Sequence, residues 1–129
     1  MLVESKVMKF NDEELQLAQL FKAFGLEWQP SVGDYVLDQS DLINKSSPFQ
    51  ERVYFILDLE LFVRRAGSLE NLKERVCWLP DWHQARQILS KLGLSTQETI
   101  QHLIDSGAFE NNVERTELYR LIETKITGG

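Results

Sequence analysis

Cys77 and His83 stand six positions apart in VCWLPDWHQ, residues 76–84, where Trp78 and Trp82 also flank Pro80. A thiol beside an imidazole is the pairing that nucleophilic catalysis uses: the base removes a proton and the thiolate attacks. That chemistry needs an accessible sulfur and a base within hydrogen-bond reach. Cys77 lies inside an apolar run, and His83 falls on the polar face of the helix that the following residues suggest. The pair is therefore read as non-catalytic, with Cys77 a small buried hydrophobe. The other histidine, His102, is far away in sequence and reads as a surface helix residue.

Two charged groups invite a ligand. Asp34, Asp38 and Asp41 lie within GDYVLDQSDLIN, and hard cations take carboxylate oxygens. Their spacing is not that of an EF-hand loop, so turn and strand-edge residues are the preferred reading, and no metal or cofactor is expected. Arg64, Arg65, Lys73 and Arg75 could meet around an anion, since guanidinium groups grip phosphate and carboxylate bidentately. Glu70 and Glu74 would neutralise part of that patch, which reads first as a solvated face.

LGLSTQETIQHLIDSGAF has the outline of a helix-turn-helix unit. Its recognition helix would carry two acids and no Lys or Arg, a poor match to phosphates and base edges. Phosphate-binding glycine loops, HExxH, GxSxG and paired-cysteine zinc patterns are not found in the chain.

The elements that position these residues follow from local grammar. FNDEELQLAQLFKAFG predicts a helix with Asn11 as its cap, three acids in its first turn and Gly25 after its end. Phe21 and Phe24 are expected to supply its main apolar burial. DYVLD predicts a short strand, and Ser46, Ser47 and Pro48 predict a turn. RVYFILD is almost wholly apolar, so it is expected at the centre of a small sheet, covered on both faces. DLELFVRRAG predicts a short helix capped by Asp58 and ended by Gly67. Ser68 opens another.

VCWLP reads as a strand stopped by Pro80, with Asp81 capping the helix that starts at Trp82. Trp78 and Trp82 are expected to wedge strand against helix at this corner. The alternative is an exposed tryptophan that anchors a partner. On the helix, Trp82, Ala85, Ile88, Leu89 and Leu92 keep helical spacing. Ser95 and Glu98 have capping-box spacing ahead of an Ile100, Leu103 and Ile104 face. Leu118, Leu121, Ile122 and Ile126 mark the last helix.

Composition sets the outer bounds. The chain has 129 residues, 43% hydrophobic and 26% charged, which suits one globular domain over 1–129 with its own core. The order of elements is that of an α+β domain: a small sheet packed by amphipathic helices. One cysteine excludes an internal disulfide and a four-thiolate zinc site. No run of 18 apolar residues occurs, and the charged N-terminal residues do not resemble a signal peptide, so the expectation is a cytoplasmic protein with no membrane partner. The net charge is −6, which opposes nucleic-acid binding, although residues 61–91 alone carry +3.

The run from Ile56 to Gly93, through Trp78, Leu79, Pro80 and the helical Gln84, resembles a W-L-P pattern of small bacterial and phage-associated proteins. ERTELYRLIETKI is similar to their acidic closing helix. The resemblance implies a small bacterial domain and carries no catalytic residue across.

Taken together, these features point to a non-catalytic protein-interaction or regulatory module, with a protein partner or a second copy as its ligand. The candidate binding residues are Trp78, Trp82, His83, Arg64 and Arg65. The alternative is a small-ligand-binding protein or enzyme with a pocket near the sheet edge, using Arg64, Arg65 or the Asp34 cluster. Nucleic-acid binding through the middle segment ranks below both.

Overall fold

A computed structural model describes residues 9–43, 45–47 and 50–128. The expected turn residue Pro48 lies outside the described residues, as do residues 1–8. Among the described residues, seven helices and three strands follow one another: α1 (Asp12–Ala23), β1 (Tyr35–Asp38), β2 (Val53–Phe55), α2 (Leu59–Ala66), α3 (Leu69–Arg75), β3 (Val76–Leu79), α4 (Trp82–Lys91), α5 (Thr96–Asp105), α6 (Ala108–Asn111) and α7 (Glu114–Thr127). The fold is α+β, as its element order implies.

Two compact units are distinguished. One comprises the chain up to Leu15 together with Glu27–Leu79, and the other comprises Gln16–Leu26 and the chain from Pro80 onward.

The first unit holds the sheet, an antiparallel trio in the order β2-β1-β3. RVYFILD was expected at its centre, but the central strand is β1 and β2 lies at an edge. Only three residues of RVYFILD form the named strand. Arg52 turns into it with φ 68°, and Asp58 leaves it as a helix cap, which together shorten the run. Pairing extends one residue past β2, since the Ile56 N–H donates to the Asp34 carbonyl (2.9 Å) and the Gly33 N–H to the Ile56 carbonyl (2.8 Å).

Val36 of β1 faces Tyr54 and Trp78 across the two ladders, so these three share one side of the sheet. There Val36, Leu42, Ile43, Ile56, Ala66, Leu72 and Val76 form a buried cluster, with Trp28, Leu59, Phe62 and Val63 packed against it.

The second unit is helical. In α1, Phe21 is buried, but Phe24 is 55% exposed. The helix has ended by Phe24: the Gly25 N–H reaches Lys22 and the Leu26 N–H reaches Phe21, with Gly25 at φ 81°. The ring therefore points outward from a closing turn instead of continuing the buried stripe. Helix α4 packs along α7 and buries Ala85, Ile88 and Leu89. In α5 the buried residues are Thr99 and Leu103, while Ile104 is exposed, so the apolar face is rotated from the expected one. In α7, Leu118 and Ile122 are buried as expected, joined by Thr116 and Tyr119.

Capping boxes close α1, α4 and α5 at their N-termini. Asn11 exchanges hydrogen bonds with Glu14, Asp81 with Gln84, and Ser95 with Glu98. Among the described residues, no helix is long and apolar enough to cross a membrane.

Candidate functional site

The carboxylates of the Asp34 cluster serve the backbone. Asp34 is buried and accepts from the Trp28 indole N–H (2.9 Å) and the Ser31 amide (3.0 Å). Asp38 is also buried, and its two oxygens accept from the amides of Leu42 and Ile43, each at 2.8 Å. Asp41 is exposed at φ 60° in the loop that Asp38 braces. Among the described residues, no group of three or more His, Cys, Asp or Glu side chains is arranged to hold a metal ion.

The arginines weighed as an anion patch are divided among separate partners. Arg65 donates to the carbonyls of Leu42 (3.2 Å) and Ile43 (3.0 Å), so it binds the other side of the segment that Asp38 holds. Arg75 donates to the Ser40 hydroxyl (2.6 Å). Arg64 stays in solvent, 3.9 Å from Glu60. An arginine committed to backbone carbonyls has fewer donors left for a ligand, so these groups read as structural clamps.

In VCWLPDWHQ, Cys77 is buried in the sheet, with its sulfur 3.8 Å from the Trp78 carbonyl oxygen. A thiol so enclosed is shielded from substrates. Trp78 stacks on Trp28. Trp82 is 37% exposed, with the Arg86 guanidinium 4.9 Å above its ring, and His83 is exposed beside it. Trp82 thus stands in the first turn of α4 with part of its ring in solvent. Trp78, Arg64 and Arg65 belong to the first unit, Trp82 and His83 to the second.

His102 has a partner that its sequence context did not suggest. Its Nε2 lies 3.3 Å from the Glu117 carboxylate, which also pairs with Arg120. This group ties α5 to α7, two helices already in contact.

A further surface was absent from the sequence candidates. Val32, Leu57 and Leu61 are 62%, 75% and 49% exposed. Gly33 and Ile56 are joined by a backbone hydrogen bond, which brings their chain neighbours Val32 and Leu57 to the same end of the sheet. Gly33 adopts φ 100°, a conformation open to glycine, and so presents Val32 at the tip of the turn. Leu61 stands in the first turn of α2, where the Asp58 cap carboxylate accepts from its amide (3.2 Å). Single exposed aliphatic side chains are ordinary, but a contiguous group marks an interaction surface. The signal in the sequence was Leu61 itself. On a helix that buries Ala66 and packs the partly buried Leu59, Phe62 and Val63 inward, it sits on the opposite side among Glu60 and Arg64.

Comparisons with family models, with curated proteins and with solved structures find no match to this chain.

Proposed function

We propose that this chain is a non-catalytic interaction module, and that the Val32, Leu57 and Leu61 surface of its first unit is where a protein binds. The observation that carries this reading is the exposure of Val32 and Leu57 at one end of the sheet, with the exposed Leu61 in the first turn of the helix that follows Leu57. Covering them removes apolar surface from water, the main favourable term in protein association. The neighbouring structure is braced: Asp38 and Arg65 hold the 42–43 segment, and Asp34 holds the turn that carries Val32. A surface held in place before binding loses less conformational freedom when it binds.

The rival reading, a ligand pocket at the sheet edge, drew on Arg64, Arg65 or the Asp34 cluster. The engagement of Arg65, Asp34 and Asp38 with backbone groups weighs against it. The resemblance through Trp78, Leu79, Pro80 and Gln84 is the ground for reading the protein as bacterial. A cytoplasmic setting is proposed with it, and the buried thiol of Cys77, the chain's one cysteine, fits a reducing interior.

Native mass spectrometry of the protein isolated gently from its own cells tests the function. A complex, with itself or with another chain, is expected, and it should be lost in a Leu57→Ser/Leu61→Ser variant that remains folded. A bare monomer, or a complex indifferent to these substitutions, would overturn the reading.

A further inference from the structure

We draw no further inference here: the strongest candidate, the surface patch at the turn between α5 and α6 where Ile104 and Phe109 are exposed beside Asp105 and Glu110, carries nothing because nothing in the structure shows what covers it.

Discussion

The indole rings of Trp28 and Trp78 lie nearly parallel, with centroids 6.0 Å apart and an 8° angle between planes. Their polar ends differ. The Trp28 N–H donates to the buried Asp34 carboxylate, whereas the buried Trp78 N–H meets no acceptor among the described residues. Replacing each with phenylalanine should therefore give unequal results. Trp28→Phe removes a charge-assisted bond and should cost about 1.5–3 kcal/mol beyond the lost ring area. Trp78→Phe loses similar area but also removes an unsatisfied donor, so its net cost should be smaller by about 1–3 kcal/mol. Urea unfolding of both variants measures the difference, and equal costs would show that the two N–H groups do not differ in this way.

Asp38 is the second structural test. Its carboxylate takes the amides of Leu42 and Ile43, and Arg65 takes the carbonyls of the same two residues. Asp38→Ala should destabilise by roughly 2–4 kcal/mol, because two amides lose their acceptor. Asp38→Asn keeps one good acceptor and should lie about halfway. A metal-binding role predicts something else, a stability that rises with added calcium or magnesium in the native protein and not in Asp38→Asn. The unfolding midpoint with and without each cation separates the two roles.

What could be read from the sequence was local. The caps at Asn11, Asp58, Asp81 and Ser95 depend on hydrogen bonds three residues along, so residue type and spacing nearly determine them. The order of strands depends on pairings made across long stretches of chain. RVYFILD was therefore misplaced, because its apolar composition does not say which neighbour it meets. Phe24 and Ile104 were expected inside for a similar reason: a helical stripe shows that one side is apolar, but not where a closing turn or a neighbouring helix cuts that stripe off. The candidate surface divides along the same line. Leu61 stands out on its helix, whereas Val32 joins Leu57 only through the bond between Gly33 and Ile56, more than twenty residues apart.

The Ser95–Glu98 box gives a pH prediction. The Ser95 amide donates to the Glu98 carboxylate (2.9 Å), and this bond, followed by the one to the Ser95 side chain, holds the Glu98 carboxyl below its ordinary value of 4.5. A carboxyl with a depressed folded pKa adds stability above its unfolded value and loses it as pH falls through the folded one. Glu98→Gln cannot titrate, so its unfolding midpoint should follow the native protein's with an offset near neutral pH that shrinks below about pH 4. The side chain is fully exposed, so the offset should be small. An offset that does not change with pH would contradict the assigned cause.

Tyr119 and Trp82 give the sharpest contrast between expected and observed cores. Tyr119 is fully buried, its hydroxyl donates to the Pro80 carbonyl (2.5 Å), and its ring lies 5.4 Å from that of Phe21. Trp82 is larger, yet its ring is partly in water beneath Arg86. Tyr119→Ala should cost about 3–5 kcal/mol, as the loss of a buried aromatic does. Tyr119→Phe should cost about 1–2 kcal/mol, since the Pro80 carbonyl is left without its donor. Trp82→Ala should cost less, about 1–3 kcal/mol, because part of its ring is already in water. Chemical denaturation of the three variants decides the matter. A cost for Trp82→Ala as large as that for Tyr119→Ala would mean that the indole is fully buried in solution.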